Sequence, residues 1–394
     1  MQQLQSFHAT WQVFLTFLRL GLTSFGGPVA HLGYFHHEFV ERKKWLTEQE
    51  YADLVALCQF LPGPASSQVG MGIGLMRSGY LGLVAAWVGF TLPSALVLIL
   101  FALGAVHFQE IIPAGLLHGL KVASVAIVVQ AVWGMMKMFC KDQKQIATMV
   151  FATTVVLLFP SAWVQVLVIV LAAFISLAWL PQPQVSQTSS SSTGSKKMAL
   201  FSLGLFFILL VGLPLLAYHG SSHYLAMIDA FYRSGALVFG GGHVVLPLLQ
   251  TETVSTGWIS DDLFLAGYAL AQTVPGPLFT FAAFLGAADQ GWLGGVVALL
   301  AIFLPSALLV LGALPFWATL RTNPLAQKAL VGVNSAVVGL LLAALYNPIW
   351  INAILHPKDF CLALIAFVAL MFWKLPAWLV IVASGAISAI FYTF

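Results

Sequence analysis

The chain has 394 residues, of which 60% are hydrophobic and only 7% are charged. Soluble domains carry about 25% charged residues, so the composition excludes an ordinary soluble protein. Apolar stretches long enough to cross a bilayer recur from end to end, and they predict an all-α polytopic membrane protein. The formal net charge of +3 says little about partners other than the lipid bilayer, and nothing in the sequence points to nucleic acid.

Thirteen hydrophobic segments can be drawn in chain order. Their approximate spans are 11–35, 51–76, 80–106, 114–139, 146–160, 161–180, 198–218, 224–249, 263–287, 291–317, 327–346, 359–373 and 376–393. The first six predict an N-terminal repeat over 1–180, and the last six predict a C-terminal repeat over 219–394. Between the repeats we expect a flexible Ser-rich linker over 181–197 and an extra transmembrane helix over 198–218.

One set of motifs occurs twice, at a nearly constant offset along the chain. The copies are Arg19, Phe25-Gly26-Gly27, Glu38, Trp45, Gln59, Pro62-Gly63-Pro64 and Pro93-Ser94, matched by Arg233, Phe239-Gly240-Gly241, Glu252, Trp258, Gln272, Pro275-Gly276-Pro277 and Pro305-Ser306. These motifs are dominated by helix breakers, and they lie within apolar sequence. The pattern indicates that one unit has been duplicated.

Charge in equivalent loops predicts that the two copies have opposite orientations. Three basic residues, 42–44, follow the first segment, whereas the equivalent loop 250–262 has three acidic residues and no lysine or arginine. By the positive-inside rule the first loop is cytoplasmic and the second faces outside. The extra helix at 198–218 supplies the odd crossing that such an inversion needs. We therefore predict an inverted repeat, as in many secondary transporters.

The same rule predicts that some segments do not cross. If 51–76, 80–106 and 114–139 all spanned, the basic loops at 42–44 and 137–144 would face opposite sides of the membrane. The conflict disappears if the Gly/Pro-broken segments of each half are re-entrant, entering and leaving on one side. Re-entrant backbone is tolerated only where protein or a wet cavity covers it.

The duplicated breaks are candidate anion sites. Pro64 and Pro277 suit the first position of a helix, whose N-terminus carries unpaired N–H donors and about half a positive charge. Glycine beside each proline lets an anion approach the backbone closely. Pro28 could begin a further helix, although its counterpart in the second copy is Gly242. The alternative is a Pro/Gly kink that serves only helix packing.

Substrate-binding candidates are drawn from the breaks, from polar residues beside them and from charged or polar residues in apolar segments. They are Arg19, Ser24, Phe25, Gly26, Gly27, Pro28, Gln59, Pro62, Gly63, Pro64, Ser66, Gln68, Lys121, Arg233, Phe239, Gly240, Gly241, His243, Gln272, Pro275, Gly276, Pro277, Thr280 and Asn334. No metal, cofactor or catalytic residue is expected, because the three cysteines are isolated and no nucleotide-binding motif is present.

Five charged residues carry alternatives. Arg19 and Arg233 lie in apolar sequence, where they attract an anion or snorkel to the interface. Lys121, whose repeat mate is Asn334, contacts the substrate or packs near an interface. Glu38 and Glu252 are interpreted as loop charges in preference to proton carriers.

These motifs together resemble the chromate ion transporter family. The resemblance rests on Phe25-Gly26-Gly27-Pro28, Trp45, Gln59, Pro62-Gly63-Pro64 and Pro93-Ser94 with their second copies, and it covers nearly the whole chain. It is to the long form of the family, in which two homologous halves are fused in opposed orientation. The resemblance implies a multi-pass inner (plasma) membrane protein that exports chromate from the cytoplasm and confers chromate resistance.

The residues leave several alternatives open. Sulfate or another tetrahedral oxyanion shares the charge and shape of chromate, and no sequence feature separates the two substrates. A membrane-embedded enzyme acting on lipid phosphate is disfavoured because the carboxylates lie mostly in loops. A homodimer, the coupling ion and the transport cycle are not readable from the sequence.

Overall fold

A computed structural model describes residues 2–25, 27–107, 114–179, 195–220, 222–239, 242–317 and 323–391. Every regular element in these residues is helical, and no strand is found among them. Five helical stretches are long and apolar enough to cross a membrane: Ala65–His107, Gly115–Phe139, Lys196–His219, Leu278–Phe316 and Pro324–Ala353. The chain is therefore an all-α polytopic membrane protein, as its composition predicts.

The first half forms seven helices. They are α1 (Gln2–Thr23), α2 (Gly27–His36), α3 (Glu48–Phe60), α4 (Ala65–His107), α5 (Ala114–Phe139), α6 (Gln143–Leu158) and α7 (Ala162–Trp179). A π-helical turn, His37–Arg42, extends α2. The predicted segment 11–35 is thus two helices, because its Phe-Gly-Gly break separates α1 from α2.

The described residues of the remainder form eight further helices of nine or more residues, besides the short helical stretches Leu345–Trp350 and Ile351–Ala353. They are α8 (Lys196–His219), α9 (His223–Ala236), α10 (Val245–Thr253), α11 (Asp261–Thr273), α12 (Phe281–Ala313), α13 (Pro324–Ala344), α14 (Pro357–Met371) and α15 (Ala377–Phe391). Short 3-10 turns, Gly242–Val244 and Leu278–Thr280, lead into α10 and α12. The extra helix α8 packs against α9 and α12.

Helix α4 folds back on itself. Its path is interrupted at Ser78 and Gly79, where Gly79 has φ 65°. A Cβ on Gly74 would lie only 2.2 Å from the carbonyl oxygen of Gly82. In a straight helix these residues would be ~12 Å apart along the axis, so the arms on either side of the break form a tight hairpin.

Helix α12 has the same hairpin at the equivalent place. Its path breaks at Gln290 and Gly291, with φ 67° at the glycine. A Cβ on Gly286 would lie 2.3 Å from the carbonyl oxygen of Gly294. The predicted segments 51–76 and 80–106 are therefore joined by the break at Gly79, and 263–287 and 291–317 by the break at Gly291. The two helical arms at each break pack closely together.

The motif-bearing helices of the first half also return on themselves. Arg19 near the end of α1 donates to Glu38 beyond α2 at 2.5 Å, and Phe17 stacks on Phe39. The Arg77 guanidinium lies 5.1 Å from the Trp45 ring, so the end of the short arm of α4 meets the connection that precedes α3. Both ends of each broken segment thus lie together, which is the arrangement that a re-entrant segment needs. The orientation of these segments in a bilayer stays a prediction.

The two halves interlock through their last helix pairs. Helices α6 and α7 of the first half pack on α13 of the second, and α14 and α15 pack on α5 of the first. The contacts are close, since a Cβ on Gly119 would lie 2.4 Å from the Ser384 carbonyl oxygen and one on Gly332 would lie 2.3 Å from that of Ala172. Each predicted repeat therefore lends two helices to the core of the other.

Candidate functional site

The duplicated breaks meet each other across the two halves. The backbone N–H of Gly63 donates to the carbonyl of Val238 at 2.6 Å, and that of Gly276 donates to the carbonyl of Ser24 at 3.0 Å. Each Pro-Gly-Pro break of one half is thus hydrogen-bonded to the Phe-Gly-Gly break of the other. Both glycine amides are used within the protein, so they are not free donors for an anion.

Glycine is required at both Pro-Gly-Pro turns. Gly63 has φ 120° and Gly276 has φ 109°, in the region that other residues rarely adopt. A Cβ on Gly63 would lie 2.5 Å from the Ser306 hydroxyl, and one on Gly276 would lie 2.8 Å from the Ser94 hydroxyl. The duplicated Pro-Ser motif of each half therefore packs against the glycine of the other half.

Several buried polar groups beside this crossing have no partner. The unpaired buried atoms of the described residues include Ser24 Oγ, Ser67 Oγ, Gln68 Oε1, Thr91 Oγ1 and Ser306 Oγ. Their side chains are almost completely buried. Protein interiors rarely leave polar groups unsatisfied, so such a cluster indicates ordered water or a polar ligand.

A cavity of about 430 Å³ opens beside the crossing. Its wall brings together residues from both halves: Gly27, Gln130, His243, Gln272, Gly276 and Lys374 are its glycine and polar members. The apolar remainder comes mainly from α5 and from the connection between α14 and α15. Four of the residues predicted from the breaks, Gly27, His243, Gln272 and Gly276, therefore share one cavity.

Lys374 gives this cavity a positive charge. It lies at the tip of the α14–α15 hairpin with φ 54°, and it makes no ion pair with any residue that the structure describes. The two hairpin helices have 15 residues each, or ~22 Å, which is less than the ~30 Å of a bilayer core. Lys374 is absent from the residues predicted from sequence because it stands in a short connection, although the shortness of both helices is a signal for it.

The predicted arginines are not free cations. Arg19 donates to Glu38 at 2.5 Å, and Arg42 approaches the same carboxylate at 3.2 Å. Arg233 donates to both Asp229 and Glu252, at 2.7 and 2.8 Å. The interpretation of the two glutamates as loop charges is wrong, because Glu38 is 3% and Glu252 13% exposed and both are partners of an arginine.

Lys121 and Asn334 occupy different environments. Lys121 Nζ is 2.7 Å from Asp262 in the first turn of α11, so its charge is compensated. The Asn334 side chain is buried, and its Oδ1 has no partner among the described residues. Neither residue lines the cavity.

The remaining predicted residues fall into four groups. Gln68 Nε2 donates to the Pro62 carbonyl, and Thr280 Oγ1 donates to the Pro277 carbonyl, so these polar groups close their own turns. Ser66 lies 3.4 Å from the ring of His31, which also contacts the Ser24 carbonyl. Six further predicted residues do not line the cavity: Phe25, Pro28, Gln59, Pro64, Phe239 and Pro275. Gly26, Gly240 and Gly241 lie outside the described residues.

No metal-ligand cluster is formed by the part of the chain that the structure describes, since no group of three or more His, Cys, Asp or Glu side chains converges there.

Broken helices that cross beside a polar cavity inside a polytopic helical protein are the architecture of a membrane transporter.

Comparison with known proteins identifies the family. The model described as "Chromate transporter" matches residues 11–177 and 225–389, and each stretch holds one copy of the motifs. The chain belongs to the chromate transporter family.

Curated relatives agree with this assignment. A chromate transport protein of Pseudomonas aeruginosa is 28% identical over 84% of this chain and 79% of its own length. A probable chromate transport protein of Synechococcus elongatus is 27% identical over 96% of this chain and 94% of its own. The uncharacterized transporter YwrB of Bacillus subtilis is 34% identical over 42% of this chain and 86% of its own. No solved structure matches the chain.

Proposed function

We propose that this protein exports chromate from the cytoplasm across the plasma membrane and so confers resistance to it. The observation that carries the proposal is the cavity that both sets of breaks line together with the one cation on its wall, Lys374. The names of the relatives support chromate as the substrate. The surrounding helices enclose the cavity, and the ion-paired arginines Arg19 and Arg233 stabilise the packing of those helices.

The cavity suits a tetrahedral dianion chemically. A volume of about 430 Å³ accommodates an oxyanion with several waters, each of which occupies ~30 Å³. Lys374 supplies charge, and the amides of Gln130 and Gln272 supply N–H donors around it. The glycine walls at Gly27 and Gly276 bring backbone close to the ligand without a side chain between them.

The unpaired hydroxyls beside the crossing extend this site. The carbonyl of Ser24 accepts from Gly276, a residue of the cavity wall, and the Ser24 hydroxyl has no partner among the described residues. Ser306 lies against Gly63 in the same crossing. We infer that these hydroxyls replace water around the anion as it passes between the two breaks.

The membrane potential is sufficient to drive export. Moving one charge through 100 mV is worth about 2.3 kcal/mol. A dianion that leaves an inside-negative cell therefore gains roughly 4.6 kcal/mol, or about a thousandfold gradient. Outward transport of chromate does not require ATP.

Sulfate is the closest alternative substrate, because the cavity recognises charge and shape that both anions share. Radiolabelled chromate and sulfate uptake into inverted membrane vesicles, with membrane potential and ΔpH set separately, tests the proposal. We expect chromate uptake that rises with an inside-positive potential and is competed by sulfate less well than by unlabelled chromate. Potential-driven uptake of sulfate alone would replace chromate with the alternative, and uptake of neither anion would overturn the transport proposal.

We also propose that the two halves are inverted in the membrane. Single cysteines at 44 and 256, placed in a variant that lacks Cys58, Cys140 and Cys361, test this orientation by labelling intact cells. We expect the cysteine at 256 to react with an impermeant thiol reagent and the one at 44 to be protected. Labelling of both from the same side would contradict the inversion.

A further inference from the structure

The most unusual charged cluster outside the cavity surrounds Arg233. The Asp229 carboxylate accepts from Arg233 Nε at 3.0 Å and from its terminal nitrogen at 2.7 Å. The Glu252 carboxylate accepts from the two terminal nitrogens at 2.8 and 3.0 Å. The guanidinium therefore binds two carboxylates at once, each with both oxygens.

This cluster is buried and contains one more acidic group than basic groups. The side chains of Arg233, Asp229 and Glu252 are 14%, 7% and 13% exposed. With both acids ionised, two negative charges share a single positive one. A net charge is disfavoured where protein and lipid replace water, so the cluster gains by binding a proton.

No other charged group among the described residues compensates the surplus. Helix α7, whose Trp163 ring lies 5.5 Å from the guanidinium, has no titratable residue. On the other packed elements, four titratable groups have partners outside the cluster: Asp289 binds His223, Tyr232 donates to Phe206, His243 contacts Tyr268 and Lys328 contacts Leu177. The others stand at helix ends: Tyr224 in the first turn of α9, and Lys196, Lys197, Tyr218 and His219 at the ends of α8.

The fold does not require the surplus carboxylate. In the first half Glu38 is approached by two arginines, Arg19 and Arg42, so that cluster has a surplus positive charge. The position equivalent to Asp229 in the repeat is Leu15. The same helix pairing therefore forms with an apolar residue in place of the acid, which points to a function for Asp229 other than packing.

The two helices that carry the cluster lead to the cavity. Helix α9 carries Asp229 and Arg233 and ends two residues before Val238, whose carbonyl accepts from Gly63. Helix α10 carries Glu252 and follows His243, which lines the cavity. The cluster thus clamps together the two helices that flank the second Phe-Gly-Gly break.

We propose that Asp229 and Glu252 share one exchangeable proton, and that binding of this proton and binding of the anion favour each other. The inference rests on the proposed anion site. Protonation takes a proton from water, converts one carboxylate to a carboxylic acid and removes one negative charge from the helices that flank the second Phe-Gly-Gly break. A dianion then enters with less repulsion, so the proton and the anion bind in the same state.

Equilibrium binding of chromate to the purified full-length protein tests this linkage, at pH values where chromate is fully deprotonated. We expect the wild-type affinity to rise by up to tenfold for each unit that the pH falls, with proton uptake detected by a pH-sensitive dye. Asp229→Asn keeps the shape of the side chain, and Asp229→Leu copies the first half. Both variants are expected to bind chromate without the pH dependence and without proton uptake.

The outcomes separate this inference from the proposed function. Asp289→Asn is the matched control, since it neutralises another largely buried acid, and it is expected to leave proton uptake unchanged. Chromate binding with no proton uptake in the wild type, or with equal uptake in both Asp229 variants, would overturn the proton site alone. Absence of chromate binding and transport in the wild type would instead remove the proposed function.

Discussion

The two halves share their backbone breaks but differ in the charges around them. Gly63 and Gly276 have the same left-handed φ, and each donates to the break of the opposite half. In contrast, the buried charges are opposite: one carboxylate with two arginines in the first half, and one arginine with two carboxylates in the second. The duplication thus preserves the helix breaks, while the ionic groups have become specialised.

The cavities at the two hairpin tips also differ in charge, because only one of them is lined by a lysine or arginine. The cavity beside Gly276 contains Lys374 from the tip of the α14–α15 hairpin. At the α6–α7 tip a smaller cavity, of about 260 Å³, is lined by Pro160, Gln165, Gln250 and other uncharged residues. This contrast supports the proposed anion site in the first cavity, and substitutions at equivalent positions of the two halves test it.

The largest expected difference is between the two motif arginines. Arg233→Gln leaves two buried carboxylates unpaired, so we expect it to lower the free energy of unfolding by about 3–5 kcal/mol. Arg19→Gln leaves Glu38 still paired with Arg42, and the Arg19 side chain is 46% exposed; we expect a loss of about 1 kcal/mol. Thermal unfolding of the purified variants in detergent measures both. Equal losses would show that the two clusters are equivalent after all.

The two turn glycines are expected to behave alike. Valine at either position adds about 1–2 kcal/mol of left-handed backbone strain and about 1–3 kcal/mol of overpacking against Ser306 or Ser94. We therefore expect Gly63→Val and Gly276→Val to reduce the amount of folded, membrane-inserted protein to a similar extent. Quantitative immunoblotting of membranes measures that amount. Normal abundance of either variant would contradict the tight crossing of the breaks.

A smaller effect separates the duplicated glutamines. Gln272 lines the cavity, whereas Gln59 is exposed away from it. Loss of one hydrogen bond to the charged anion is worth about 1.5–3 kcal/mol, so Gln272→Leu should reduce chromate flux per inserted molecule by roughly 10–100-fold. Gln59→Leu is the matched control and should leave flux unchanged. A larger defect in Gln59→Leu would move the substrate path to the first half.

Much of the fold is readable from the sequence. Apolar length identifies the helices, and Gly/Pro breaks identify the turns, because these are local properties of the chain. The meeting of Gly63 with Val238 and of Gly276 with Ser24 is not local, so the motifs indicate that the breaks matter but not which ones touch.

The charges of the site were harder to predict. Asp229 and Lys374 have no charged counterpart in the first half. A search for duplicated residues therefore does not find them. The pairing of Arg233 with two acids depends on how α9 and α10 pack, which hydropathy does not encode. Predicted anion contacts at Arg19 and Arg233 stay untested, and the ion pairs now favour Lys374 as the residue that attracts the substrate.

Direct binding of radiolabelled chromate to the purified protein tests the central claim, that the anion occupies the cavity beside Gly276. We expect one site per chain, weakened by about 10–100-fold in Lys374→Gln, because a charge-assisted hydrogen bond contributes about 1.5–3 kcal/mol. Lys374→Arg should retain most of the affinity, and Lys358→Gln, an exposed lysine at the start of α14, should retain all of it. Unchanged chromate affinity in Lys374→Gln, with the variant folded as the wild type, would contradict the account.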